Sequence, residues 1–130
     1  MPAQGRVAQP KPVVAAVDDD RRVRESIHSV LESAGYEAVV FGSAEEFLES
    51  GVLSRATCVI ADVRLPGIHG IELQLRIRQE RAQLPVIFVT AHDDDEIRQQ
   101  ALRDGAVDFM VKPFDAATLL ENVERAVNHA

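Results

Sequence analysis

Scarcities set the first limits on this chain of 130 residues. It has one cysteine, Cys58, which excludes an internal disulfide framework and suits a reducing compartment. It is short of base: 14 Lys and Arg against 21 Asp and Glu leave a net charge of −7. No basic patch stands out, which argues against a binder of DNA or RNA phosphates. No apolar run approaches the ~20 residues that cross a bilayer. Residues 1–12, MPAQGRVAQPKP, hold no apolar core of the signal-peptide kind, and a cytoplasmic location is expected. Their Pro, Gln, Gly and Ala content predicts a disordered lead-in to a single domain over 13–130. There is neither an internal repeat nor a linker to a second domain.

What is present is an alternation of apolar runs and helical stripes. Val13 to Val17 reads as a strand that stops at Asp18, Asp19 and Asp20. Val23, Ile27, Val30, Leu31 and Ala34 follow at helical spacing, with Asp20 placed to cap that helix and Gly35 to end it. Glu37 to Phe41 is a second strand, and Ser43 with Glu46 forms a capping-box pattern before a short helix holding Phe47 and Leu48.

Thr57 to Ala61 is a β-branched, apolar third strand with Asp62 at its end, and Pro66, Gly67 and Gly70 force a loop behind it. Ile71 to Arg81 reads as a helix with Ile71, Leu73, Leu75 and Ile77 inward. Pro85 introduces a fourth strand, Val86 to Val89, ending at Thr90. Asp93 to Asp95 begin a helix with Ile97, Ala101 and Leu102 inward, stopped by Gly105. Val107 to Val111 is the fifth strand, followed by Lys112-Pro113-Phe114. Asp115 caps a last helix whose inner stripe is Leu119, Leu120, Val123 and Val127. Five near-continuous apolar strands with helical crossovers predict an α/β domain, a parallel sheet covered by helices on both faces.

In a parallel sheet all strand C-termini share one edge, where open α/β domains place their chemistry. That edge would collect Asp18, Asp19, Asp62, Thr90 and Lys112. Carboxylates gathered so closely repel unless a cation sits among them, and oxygen-only ligands suit Mg²⁺. With such an ion bound, Asp62 is a candidate phosphoryl acceptor, Thr90 a hydrogen-bond donor to the new group, and Lys112 a countercharge.

The wording VVAAVDDD, VIADVRLPGIHG, PVIFVTAH and GAVDFMVKPF, in that order, resembles the response-regulator receiver domains of two-component signalling, over about residues 13–129. The last three stretches are similar to the FixJ-like receivers, which are commonly fused to a helix-turn-helix output domain. The resemblance implies a doubly wound, flavodoxin-like sheet of order 2-1-3-4-5. It implies Mg²⁺ held by Asp19 directly, Asp18 through water, Asp62 and the backbone carbonyl of Arg64. It further implies Asp62 as phosphoacceptor, Thr90 as switch hydroxyl, Lys112 as the essential lysine, Phe109 as switch aromatic and a cis Lys112–Pro113 bond. The implied partners are a sensor histidine kinase or phosphotransfer protein, an output domain or effector, and a second copy on phosphorylation.

Arg64 and His92 each lie two residues beyond a site residue and are expected to tune the phosphoryl lifetime. A metal-dependent phosphatase would need an acid where Arg64 stands. A flavin module would need a Ser/Thr/Gly-rich phosphate loop where the three aspartates stand. Neither fits.

Overall fold

The computed structural model describes residues 11–91 and 95–129. Its elements are β1 (Val13–Val17), α1 (Arg21–Ser33), β2 (Glu37–Phe41), α2 (Ala44–Ser50), β3 (Cys58–Asp62), α3 (Gly70–Glu80), β4 (Val86–Thr90), α4 (Asp95–Arg103), β5 (Asp108–Val111) and α5 (Ala116–His129). All strand pairs are parallel, in the order β2-β1-β3-β4-β5.

Alternation along each strand divides the core in two. Val13, Ala15, Val17, Val59, Ala61 and Phe88 meet α2, α3 and α4 through Phe47, Leu73, Ile77 and Ala101. Val14, Ala16, Cys58, Ile60 and Val89 meet α1 and α5 through Ile27, Leu31, Leu119 and Val123. The three central strands, β1, β3 and β4, are buried on both faces and are apolar up to Asp62 and Thr90 at their ends. The edge strands β2 and β5 are mostly half-buried. Burial also pushes the Cys58 thiol up to about 12, so it is an inert core group.

The caps follow their side chains. Asp20 Oδ1 accepts from the N–H groups of Arg22 and Val23 at the start of α1, and Asp115 accepts from Thr118 before α5. Ser43 Oγ accepts from Glu46 N–H, while the Glu46 carboxylate reaches Gly42 N–H, one residue outside the ordinary box. The Lys112–Pro113 bond is cis.

Four expectations need correcting. β3 runs one residue later than expected and includes Asp62, which pairs with Val89. Leu75 is 46% exposed, because α3 buries Gly70, Leu73, Gln74 and Ile77, a stripe in which Gln74 takes the inward place. Leu102 is 45% exposed, since Ala101 alone of that pair faces the sheet. Val107 lies outside β5 and is exposed. A short 3-10 turn, Val52–Ser54, was not expected.

The buried Gln74 satisfies a backbone acceptor, since its Nε2 donates to Ala101 O at 3.0 Å, and Arg78 likewise donates to Asp104 O. Two α3 side chains thus reach carbonyls at the C-terminal end of α4, where positive charge is favoured; Ala101 O also accepts from Ala106 N–H. Residues 1–10 of the expected lead-in, and the first part of the α4 start at Asp93, lie outside the described residues. Pro12 O already accepts from Glu37 N–H at the head of the sheet.

Candidate phosphoacceptor site

The ladder brings the candidate residues to one edge. Asp18 follows β1, with its N–H on Phe41 O. Asp62 ends β3 and Thr90 ends β4. Lys112 N–H donates to Thr90 O at 2.7 Å, so the lysine leaves β5 beside that threonine.

At the centre is a shared ammonium. Lys112 Nζ lies 2.7 Å from Asp18 Oδ2 and 2.7 Å from Asp62 Oδ2. Only its contact with Asp62 has hydrogen-bond geometry; Asp18 Oδ2 is in ion-pair range but has no directed hydrogen bond. Asp62 Oδ1 accepts from Arg64 N–H at 2.8 Å, which turns the chain sharply after the strand. Asp18 Oδ1 accepts from Asp20 N–H, and Arg24 grips the Asp18 carbonyl at 2.9 Å.

Burial governs the electrostatics. Asp18 is 1% exposed, and its carboxyl stands above the usual range because desolvation outweighs the pull of Lys112 and of Asp20 N–H. Burial pulls the Lys112 ammonium down, but two carboxylates overcome it, and its pKa stands above the ordinary lysine value. The two directions belong together: Lys112 gains from two carboxylates at once, while the ammonium it shares does not offset the burial of Asp18.

Carboxylate oxygens of Asp18, Asp19 and Asp62 lie within 4.8 Å of one another. The Asp20 carboxylate is occupied at the α1 cap, so Asp18 and Asp19 are the members of the triplet that face Asp62. A hard divalent cation fits this donor set: all oxygen, net negative, with Asp18 Oδ2 lacking a directed partner.

Thr90 is buried at the same edge. Phe109 sits opposite Phe88, partly buried, with the Arg98 guanidinium 5.2 Å from its ring centroid. The Arg64 side chain is exposed, and His92 lies outside the described residues.

Behind the site, the start of α3 rests directly on the end of β3. A Cβ on Gly70 would lie 2.5 Å from Asp62 O and 2.8 Å from Val63 Cα, both backbone atoms that cannot step aside. Gly70→Ala is therefore expected to lower stability by roughly 2 kcal/mol, read as a lower urea midpoint with an unchanged slope.

The sequence profile of the response regulator receiver domain matches residues 14–124. The chain belongs to this family. Among receiver relatives, Nodulation protein W of Bradyrhizobium diazoefficiens is 40% identical over 119 residues, covering 92% of this chain and 52% of that protein. The transcriptional regulatory protein FixJ of the same organism is 36% identical over 117 residues, covering 90% of this chain and 57% of that one. A receiver protein from Pseudomonas putida superposes with a TM-score of 0.82 at 35% identity, covering 91% of this chain and 99% of the other. The chain spans about half the length of the curated relatives it matches. It is therefore a two-component receiver module related to transcriptional regulators, a signalling domain rather than an ordinary enzyme. Among the described residues, no helix is long and apolar enough to cross a membrane.

Reasoning from sequence missed Glu45 and Arg24, which hold backbone at the site from other elements. Their partners are carbonyl and amide groups that no side-chain pattern announces.

Proposed function

We propose that this receiver is a phosphorylation-controlled switch in which Asp62 accepts a phosphoryl group from a phosphohistidine of a sensor kinase or phosphotransfer protein. The observation that carries the reading is the Lys112 ammonium held between Asp18 and Asp62 beside a three-carboxylate cluster. A carboxylate oxygen of Asp62 attacks phosphorus in line. The O–P bond forms as the P–N bond breaks; the electron pair stays with the departing imidazole, whose other ring nitrogen carries a proton during transfer, so that the ring leaves neutral. Asp18, Asp19, Asp62 and the Arg64 carbonyl would hold Mg²⁺, which when bound screens the acidic rim and the incoming phosphoryl oxygens.

The chain's own groups do the rest. Arg64 N–H orients the Asp62 carboxylate, and Lys112 supplies a charge that can follow the phosphoryl group. A groove of about 470 Å³ beside Lys112, lined in part by Val23, Ala91, Pro113 and Phe114, offers an apolar seat for the donor protein. Aspartyl phosphate adds about −1.5 to −2 charge, by the measure of phosphoserine. Thr90 and Lys112 close on it, and Phe109 follows toward the space behind Thr90. This shifts a pre-existing equilibrium at the surface of α4, β5 and α5, where an output domain or a second copy docks. Arg64 and His92 set how fast water reaches the acyl phosphate. Because the donor is a kinase histidine, the domain works in the cytoplasm.

Incubation with a small phosphodonor and Mg²⁺ tests this reading. One phosphoryl group per chain is expected by mass spectrometry, lost on treatment with hydroxylamine as an acyl phosphate should be. No mass gain, or a gain resistant to hydroxylamine, would overturn it.

A further inference from the structure

The segment between Asp62 and α3 must hold one course, because its first residues build the site: Arg64 N–H bonds to Asp62 Oδ1. The near end is fixed by Val63 N–H on Val89 O, and the far end by Gly70 N–H on Val63 O. Between them lie Arg64, Leu65, Pro66, Gly67, Ile68 and His69. Among the described residues, the hydrogen bond that ties this stretch to another element comes from α2: Glu45 Oε2 accepts from Ile68 N–H at 3.1 Å.

The fit around that bond is close. Gly67 has φ +74°, and a Cβ there would lie 2.2 Å from Glu45 Oε2 and 3.1 Å from its Cδ. The positive φ favours glycine, and a side chain at residue 67 would also have to push the Glu45 carboxylate out of the place it occupies. Its other oxygen, Oε1, is buried and has no hydrogen-bond partner among the described residues. Burying half of a carboxylate unsatisfied costs free energy that a purely stabilising contact would avoid. The contact is therefore explained by what the loop must do.

We infer that Glu45 is a positioning residue of the phosphoacceptor site, holding the Pro66–Ile68 stretch so that the Arg64 backbone stays in place to face Asp62 and a bound divalent cation. The inference rests on the proposed Mg²⁺-dependent site. Glu45 touches neither the cation nor the phosphoryl group; it acts through length and direction, and its charge is incidental.

Two near-isosteric replacements separate these properties. Glu45→Gln keeps a carbonyl oxygen at the same reach and removes the charge. Glu45→Asp keeps the charge and withdraws the carboxylate by one methylene. Calorimetric titration of each whole protein with MgCl₂ is expected to show Glu45→Asp bound about fivefold more weakly than wild type, one net hydrogen bond's worth. Glu45→Gln should stay within about twofold. The labelling rate at saturating Mg²⁺ should be the same in all three, since the chemistry is untouched once the loop is seated.

Equal Mg²⁺ affinity in wild type and Glu45→Asp would overturn the inference, as would a loss in Glu45→Gln that matched or exceeded that in Glu45→Asp. Wild type that neither binds Mg²⁺ nor takes label would instead sink the site reading, and the positioning role with it. Wild type that binds Mg²⁺ normally, with both variants unaltered, would sink the positioning role alone.

Discussion

Asp62→Asn is expected to take up no phosphoryl group from a small donor, under conditions where the wild type is labelled. The carboxamide nearly matches the carboxylate in shape, so Arg64 N–H keeps an acceptor and Lys112 keeps Asp18 as its partner. What is lost is an anionic oxygen able to bond to phosphorus. Mg²⁺ affinity should fall at least about tenfold with the removal of one carboxylate ligand. Stability should hold or rise, because the variant leaves one ammonium with one buried anion instead of two. Mass spectrometry, calorimetry and urea unfolding give the three readouts. Label persisting in this variant would move the acceptor to Asp18 or Asp19 and undo the assignment.

Lys112→Ala is expected to cost roughly 3 kcal/mol in metal-free buffer, the scale for removing one member of a buried ion pair. The side chain is 17% exposed and its partners 1% and 8%, so solvent does little to soften the loss. The effect should depend on pH with a definite sign. Asp18 already stands above its ordinary 3.8 because burial disfavours its charge, and removing the ammonium takes away the largest opposing influence. A carboxyl whose folded pKa is raised binds its proton more tightly when folded. The penalty is thus present in full above that raised value and fades as pH falls toward 3.8. Millimolar Mg²⁺ should restore part of the stability at neutral pH by replacing the missing cation. The labelling rate should fall about 100-fold, as when a fixed charge or donor aimed at the reacting group is removed. A variant as stable as wild type at every pH would show that the two carboxylates do not depend on Lys112.

The sheet was legible because its three central strands are buried on both faces, so apolar runs and strand limits nearly coincide there. The caps at Asp20, Ser43 and Asp115 were legible for a similar reason, since each acts within three residues of itself. Helix azimuth was harder. Leu75 and Leu102 look like core, yet hydropathy undervalues Gly70 and Gln74, which turn α3 so that Leu75 faces water. The rim at Asp18, Asp62, Thr90 and Lys112 followed from one fact, that parallel strands end on the same side. Glu45 did not follow, because its partner is an amide 23 residues away and its neighbour Glu46 offered a local explanation of the acidic pair. Phe109 carries no hydroxyl to mark its orientation, and its stacking beneath Arg98 depends on how α4 lies against β5.

The chain has no tryptophan and one tyrosine, so it offers little intrinsic fluorescence with which to follow unfolding. Cys58 supplies a reporter instead. It is the only thiol, wholly buried in β3 between β1 and β4, and a value of about 12 keeps it unreactive while the sheet is intact. Any modification of native protein then counts the molecules whose central strands have parted. The consumption rate of a thiol reagent becomes a clock for global opening, at equilibrium and without denaturant. The same clock would read how far Mg²⁺ or a phosphoryl group at the far end of that strand slows the opening.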